Sequence, residues 1–101
     1  MPARKGKDAV AARLADLRSE ISALDRQLIK LIARRQKISD RIGRAKANAG
    51  MPVRNIKLEK ILYSGFKQQA MRHGLPPDLI QGIYKNIISD SIRRQRACSR
   101  N

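Results

Sequence analysis

The sequence predicts an all-α protein with three helices per chain, the first of them very long. Three observations support this fold class. The chain has no proline between Pro2 and Pro52, its apolar residues there recur in alternating steps of three and four, and no segment alternates as a strand pair would. Steps of three and four are the heptad spacing of a helical seam. One continuous helix is therefore the simplest interpretation of the first half of the chain.

The first predicted helix runs from about Ala11 to Asn48. At 1.5 Å per residue it would be roughly 55 Å long, whereas a compact monomer of this size has a radius of gyration of about 13 Å. An apolar seam on so long a helix has to be covered, so we expect a second copy of the chain to cover it. The seam consists of Leu14, Leu17, Ile21, Leu24, Leu28, Leu31, Ile38, Ile42 and Ala45.

The other two helices are predicted from their caps and from the breaks between them. A linker with a glycine and a proline, residues 50–54, follows the first helix, and Asn55 is well placed to cap the second. Gly74 is suited to end that helix, because glycine readily adopts the left-handed conformation of a C-terminal cap. Residues 76–78, Pro-Pro-Asp, then begin the third helix, since proline is tolerated in the first turn.

Length and composition limit the function classes. At 101 residues the chain suffices for one domain and is too short for a multi-domain enzyme. No stretch approaches the roughly 18 uncharged apolar residues of a membrane span, and the basic start lacks the apolar core of a secretory signal, so we expect a cytoplasmic protein. Cys98 is the only cysteine and His73 the only histidine, which argues against a disulfide and against a metal site.

The chain is strongly basic. Lys and Arg number 23 against 8 Asp and Glu, a formal net charge of +15, which indicates anionic partners, anionic substrates or simply a repulsive surface. Basic residues occur throughout the sequence but crowd both ends, which we expect to be solvated. The predicted organisation is a basic flexible N-terminus (residues 1–10), a helical domain (residues 11–97) and a flexible C-terminus (residues 98–101).

Arg35 interrupts the seam of the first helix. The heptad pattern asks for an apolar side chain there, and a guanidinium in a seam is costly unless an anion meets it. Lys46 lies eleven residues further on and returns to within about 20° of the same face. The two cations could therefore converge on a small dianion. The alternatives are an arginine that sets the oligomeric state or snorkels, and a lysine that only offsets the helix dipole.

Polar residues at helical spacing occur on the other two helices as well. Ser91 and Gln95 continue the apolar stripe of the third helix, and Asn55 and Glu59 are four residues apart at the start of the second. Together they could supply donors to neutral oxygens and an acceptor for a hydroxyl. Each has an ordinary alternative: solvated helix-end residues for the first pair, a helix cap for Asn55, and a surface ion pair for Glu59.

Five short segments, taken together, resemble a known family, the all-helical chorismate mutases. They are residues 17–26 (LRSEISALDR), 31–35 (LIARR), 42–46 (IGRAK), 52–59 (PVRNIKLE) and 87–95 (IISDSIRRQ). The resemblance covers about residues 14–96. It implies an intertwined homodimer with two pockets, each of which borrows an arginine from the other subunit. It also implies the rearrangement of chorismate to prephenate in phenylalanine and tyrosine biosynthesis, with no cofactor and no metal.

The resemblance also implies which residues act. The catalytic residues would be Lys46 and Gln95, which would donate hydrogen bonds to the ether oxygen of the substrate. The arginines and the serine of the binding set would hold carboxylates, while the glutamate and the backbone at position 55 would meet the ring hydroxyl. The substrate-binding residues would be Arg18 of the partner subunit, Arg35, Asn55, Glu59 and Ser91.

Two positions depart from the family's pattern. Family members often carry Asp-x-x-Arg-Glu at the start of the second helix, where this chain has Asn55-Ile-Lys-Leu58-Glu59. Asn55 stands in place of the aspartate and Leu58 in place of the arginine. Lys57 is the neighbouring cation, but its side chain points about 100° away from the face on which the family's arginine would lie. The change predicts a weaker enzyme or a pocket suited to a related substrate.

Several other functions compete with this one. On the same fold, 4-amino-4-deoxychorismate mutases and isochorismate pyruvate lyases use similar cationic pockets; Glu59 favours a substrate with a ring hydroxyl, so we rank chorismate first. A basic nucleic-acid-binding helical dimer would explain the charge, but the chain has only three aromatic residues for base stacking. A purely structural coiled coil would not explain the polar set. We therefore expect a small dicarboxylate substrate, and neither a nucleic acid nor a membrane as partner.

Overall fold

The computed structural model of the chain describes the backbone of residues 2–99 and the side chains of residues 6–99. This part of the chain contains three α-helices and no strand: α1 (Pro2–Ala49), α2 (Ile56–Arg72) and α3 (Pro77–Ser99). The prediction of an all-α chain with three helices and a very long first helix is confirmed.

The outer helices extend further than the sequence predicts. α1 begins at Pro2, not near Ala11, and α3 continues to Ser99. The N-terminal segment contains one poor helix former, Gly6, among alanine, lysine and arginine residues that favour helix, so nothing in it stops the helix. Helix therefore covers most of the two segments expected to be flexible. Residues 1, 100 and 101, which belong to those segments, lie outside the described part of the chain.

The linkers follow the predicted cap chemistry. The Asn55 side chain accepts a hydrogen bond from the Leu58 backbone N–H at 3.1 Å, which caps α2. At the other end of α2, Gly74 has φ +67°, and the N–H of Leu75 returns to the Ala70 carbonyl at 2.8 Å, as in a helix ended by a left-handed glycine. Both predicted caps are confirmed.

The chain divides into two compact units, residues 1–33 and residues 34–101. The first unit is the N-terminal part of α1. Its apolar seam is exposed to solvent in the single chain, from 42% for Leu17 to 62% for Leu24. The exposed seam residues of this unit are Leu14, Leu17, Ile21, Leu24, Leu28 and Leu31.

The second unit contains the end of α1, together with α2 and α3. Its aromatic residues pack between α2 and α3: the Phe66 ring stacks on Tyr84 with 3.8 Å between centroids, and Tyr63 meets the edge of Phe66 at 6.0 Å. Phe66 is partly buried. These rings lie against one another and leave little aromatic surface for base stacking.

The face of α1 that packs on α3 is polar and small, which the seam pattern did not predict. Gln36, Ser39 and Gly43 are buried there, whereas the seam residues Ile38 and Ile42 are each 45% exposed. Spacings of three and four place these buried residues on one side of the helix. The two helices are in close contact at Gly43, whose lack of a side chain permits the approach.

Candidate active site

A cavity of about 340 Å³ lies within the second unit, bounded by the end of α1, the linker after it, α2 and α3. Its size is in the range that holds a small organic ligand. Part of the wall is apolar and includes Ile38, Ile42 and Leu58. Six of the seven predicted site residues line it: Arg35, Lys46, Asn55, Glu59, Ser91 and Gln95.

The seventh predicted residue, Arg18, lies in the first unit and is exposed on α1. Its assignment to the partner subunit's cavity stays a prediction. Arg35 and Lys46, eleven residues apart on α1, both line the one cavity, as the helical period predicts.

Lys46 lies in the last turn of α1, where a cation also offsets the helix dipole. Its ammonium group donates to the Val53 carbonyl oxygen at 2.7 Å and to Gln95 Oε1 at 3.0 Å. An ammonium has three protons to donate. These contacts use two of them, so one donor remains to serve a ligand in the cavity.

Gln95 is buried on α3, with 9% of its surface exposed. Its Oε1 accepts from Lys46, and its Nε2 donates to Ser39 Oγ at 3.0 Å. These contacts fix which end of the amide carries the nitrogen, and the second N–H of Nε2 is left for a ligand. Gln95 is therefore a packed and oriented side chain, not a solvated residue at a helix end.

Arg35, the other cation of the cavity wall, is held by neighbouring side chains. Its Nη1 donates to Ser91 Oγ at 3.2 Å and to Gln36 Oε1 at 3.1 Å, and its guanidinium carbon lies 5.7 Å from the ring centroid of Tyr84, within the range of a cation–π contact. No carboxylate among the described residues forms an ion pair with this guanidinium. Its positive charge therefore remains for an anionic ligand.

Glu59 combines the predicted role with its ordinary alternative. It lines the cavity, and both of its oxygens accept from Arg54, at 2.8 and 3.2 Å. The hydrogen bond from Arg54, together with the positive charges of Arg54 and Lys46, holds the pKa of Glu59 below its ordinary value, although partial burial opposes this. Glu59 is therefore an ionised acceptor at neutral pH.

Asn55 contributes less side-chain chemistry than a ligand-binding role suggests. Its side-chain oxygen is engaged in the cap of α2, so the backbone and the amide nitrogen are what it offers the cavity. Leu58, on the next turn, presents an apolar side chain to the same wall. The place where the family pattern has an arginine is thus hydrophobic in this chain.

Sequence reasoning missed two polar residues that support the site, Gln36 and Ser39. The signal was available, because Gln36, Ser39 and Gly43 recur at steps of three and four along α1. The apolar seam indicates a different face of α1, so the seam pattern does not point to these two residues. The described residues also contain no group of His, Cys, Asp and Glu arranged to hold a metal.

A family model described as chorismate mutase type II matches residues 17–96. The chain belongs to this family. The predicted resemblance to the all-helical chorismate mutases is confirmed, and the match contains all seven residues that the resemblance singled out.

Its relatives include longer proteins. The chain is 36% identical over 84 residues to a bifunctional chorismate mutase/prephenate dehydratase of Escherichia coli (strain K12), which covers 83% of this chain and 22% of that protein. It is 33% identical over 78 residues to a T-protein of Haemophilus influenzae, which covers 77% of this chain and 21% of that protein. This chorismate mutase type II chain thus spans about a fifth of the length of these relatives. Among its described helices, none has an apolar stretch that could cross a membrane.

Proposed function

We propose that the chain is a chorismate mutase, an isomerase that converts chorismate to prephenate in phenylalanine and tyrosine biosynthesis. The observation that carries the proposal is the pairing of Lys46 with Gln95, whose side chains meet at 3.0 Å on the wall of the cavity. Each retains a donor that could reach one ligand atom. Two such donors, in the same cavity as a guanidinium that has no carboxylate partner among the described residues, suit a dicarboxylate whose ether oxygen gains charge during the reaction.

The reaction is an intramolecular Claisen rearrangement. The ether C–O bond breaks as a new C–C bond forms within the same molecule, so no atom leaves and no proton has to be transferred. Catalysis then requires a restrained substrate and stabilisation of the negative charge that develops on the ether oxygen. Lys46 and Gln95 would provide that stabilisation, because both are already oriented by contacts with the protein.

The remaining residues would hold the substrate. Arg35 would bind a carboxylate, for which its planar guanidinium is well suited, and Ser91 would help to orient it. Glu59 would accept a hydrogen bond from the ring hydroxyl, since it is ionised, and the backbone at Asn55 would meet the same group. The apolar wall that includes Leu58 would exclude water from the ring.

The proposal includes an intertwined homodimer formed by the helical domain, residues 11–97, in the cytoplasm. The exposed α1 seam supports it, because so many leucine and isoleucine side chains on one helix face are costly in water. In this dimer Arg18 of the partner subunit would supply a second guanidinium to each cavity. A substrate with two carboxylates would then meet two arginines.

The test is to incubate the purified protein separately with chorismate, isochorismate and 4-amino-4-deoxychorismate, and to identify the products. We expect prephenate from chorismate. Release of pyruvate from isochorismate, or conversion of the amino compound alone, would assign the chain to one of the other activities. Binding of DNA or RNA without any turnover would favour the nucleic-acid alternative.

Site variants test the mechanism. Lys46→Ala should lower kcat by about 10² to 10³ or more, as for the loss of a preorganised donor, and Gln95→Ala should follow less severely. Arg35→Ala should also raise KM, because its carboxylate contact exists before the reaction. The matched control is Lys57→Ala, an exposed lysine outside the cavity wall. A folded Lys46→Ala protein with near wild-type turnover would contradict the mechanism.

A further inference from the structure

Gln36 is a buried amide between the two helices that carry Arg35 and Ser91. It lies on α1, is 4% exposed, and does not belong to the cavity wall. Its Nε2 donates to the Ile87 carbonyl oxygen at 3.0 Å and to Asp90 Oδ2 at 2.9 Å, both on α3. The two N–H groups of the amide are therefore both used.

These two donated bonds determine where the amide oxygen points. With Nε2 directed at α3 acceptors, Oε1 faces the other way, where it accepts from Arg35 Nη1 at 3.1 Å and from Ser91 Oγ at 3.1 Å. Because the opposite orientation would aim an N–H at a guanidinium, the amide has one satisfied position. The Gln36 oxygen that accepts from Arg35 is thus held in place by the two bonds that the same amide donates to α3.

Behind the amide lies a carboxylate. Asp90 accepts from Gln36 and from Arg94 Nε at 2.7 Å, and Arg94 also reaches Asp40 at 3.2 Å. The hydrogen bond from Gln36 and then that from Arg94 hold the pKa of Asp90 below its ordinary value. Across the contact between α1 and α3, the groups therefore follow in this order: the guanidinium of Arg35, the neutral amide of Gln36, the carboxylate of Asp90 and the guanidinium of Arg94.

The group in contact with Arg35 is a neutral amide and not a carboxylate, and this has an electrostatic consequence. A carboxylate in direct contact with Arg35 would orient it equally well, but it would also neutralise the charge that a ligand carboxylate needs. The amide of Gln36 orients the guanidinium and leaves its charge uncompensated. It also keeps the negative charge of Asp90 one side chain further away.

We propose that Gln36 is a positioning residue for substrate binding, a neutral spacer that holds Arg35 in place without pairing its charge. The inference rests on the proposed function, in which Arg35 binds a substrate carboxylate. It assigns to Gln36 control over affinity, with little effect on the chemical step, because an arginine–carboxylate contact is made both before and during the reaction.

The decisive test is the double variant Gln36→Glu with Asp90→Asn. It keeps the net charge, and a glutamate at position 36 can accept from Arg35 and from the new amide at position 90. The one bond lost is that donated to the Ile87 carbonyl oxygen, which the Ser91 hydroxyl also reaches, at 3.0 Å. The double variant moves the negative charge into contact with Arg35. We expect a folded protein whose KM for chorismate rises about ten- to hundredfold, the factor for one charge-assisted hydrogen bond, with kcat changed much less.

A second variant keeps the test open if the double variant does not fold. Gln36→Met fills a similar volume but releases Arg35, so KM should again rise, whereas the exposed Gln68→Glu should leave KM unchanged. NMR of the Arg35 guanidinium in the protein without substrate gives a readout independent of activity. Its Nη protons should give separate signals in the wild type, where rotation is restrained, and an averaged signal in Gln36→Met.

The outcomes separate the two proposals. If the wild type does not convert chorismate, the proposed function fails, while the NMR comparison still tests whether Gln36 restrains Arg35. A folded double variant with wild-type KM would show that charge at position 36 is immaterial and would overturn the inference. Unchanged Arg35 signals in folded Gln36→Met would overturn it as well.

Discussion

A β-carbon on Gly43 would lie 2.8 Å from the Cα of Gln95. Real β-carbons essentially never approach another atom so closely, and the obstacle is backbone, which cannot simply rotate away. The contact joins α1 and α3 at the residue that pairs with Lys46. The absence of a side chain at Gly43 therefore determines how closely Gln95 on α3 can approach Lys46 on α1.

Gly43→Ala should lower kcat without changing any group that touches substrate. The new methyl group must push α3 away or shift Gln95, and a displacement of about 1 Å in a catalytic group can cost about 10²-fold. We expect a loss of about ten- to hundredfold in kcat, measured by chorismate consumption. Gly82→Ala on α3, where an added β-carbon meets nothing within 4 Å, provides the control and should stabilise the helix slightly. Wild-type kcat in a folded Gly43→Ala protein would contradict the geometry.

Arg54→Gln should shift the acid limb of the kcat/KM profile to higher pH. Glu59 has a lowered pKa, chiefly because Arg54 donates to it, so it stays an ionised acceptor until the pH falls through that lowered value. Without Arg54 the pKa of Glu59 returns towards its ordinary value, and protonation begins at higher pH.

The same shift applies to stability. A carboxyl group with a lowered pKa in the folded state stabilises the fold above its unfolded pKa, and this contribution is lost as the pH falls through the folded value.

The kinetic comparison of wild type with Arg54→Gln has its own control. Titration of the substrate is the same for both proteins, so a difference between their kcat/KM profiles comes from the enzyme. Lys60→Gln, a neighbouring lysine that forms no described ion pair with Glu59, is the control. Superimposable acid limbs for wild type and Arg54→Gln would rule out Glu59 as the titrating group.

Turnover at low substrate concentration should depend on salt. The net charge of +15 attracts a dianionic substrate, and added ions screen that attraction over a Debye length of about 10 Å at 0.1 M. We expect kcat/KM to fall as potassium chloride is raised, while kcat stays nearly constant. Lys67→Glu and Lys85→Glu, both exposed and outside the cavity wall, should reduce the salt slope. A kcat/KM that does not change with ionic strength would show that the surface charge has no part in substrate capture.

Mixed dimers test the assignment of Arg18. Arg18→Ala and Arg35→Ala homodimers should each be nearly inactive, since each lacks one guanidinium in both cavities. If the two are unfolded and refolded together, a heterodimer should contain one cavity with both arginines and one with neither. Activity should therefore reappear on mixing, in proportion to the heterodimer separated by a charge tag. Heterodimers that form without any recovery would place Arg18 outside the partner subunit's cavity.

Helical periodicity predicted the site where the residues share one helix or one cap. Arg35 and Lys46 were brought to one cavity because eleven residues make close to three turns, and Asn55 was identified as a cap because its short side chain can reach a free N–H. Spacing also singled out Ser91 and Gln95 as a polar pair on the third helix, but only the family resemblance assigned them to the same pocket as Arg35. No spacing rule within one helix could have placed those two opposite Arg35.

The supporting contacts were not predictable in the same way. Gln36 and Ser39 became significant only when α3 was known to pack on their side of α1, and that packing depends on the missing side chain at Gly43. The heptad pattern indicated a different face, marked by Ile38 and Ile42. A sequence pattern locates each face of a helix, but which face meets which neighbour is decided by the fit between helices.

The exposed α1 seam has a thermodynamic consequence. Among the described residues only Ala70 and Ile88 are buried apolar side chains, so one copy folding alone would remove little hydrocarbon surface from water. Most of the heat-capacity change of folding comes from hydration of such surface. If a second copy covers the seam, most of that change accompanies association, and the melting temperature rises with protein concentration. Folding and assembly would then be a single reaction, and dilution alone would act as a denaturant.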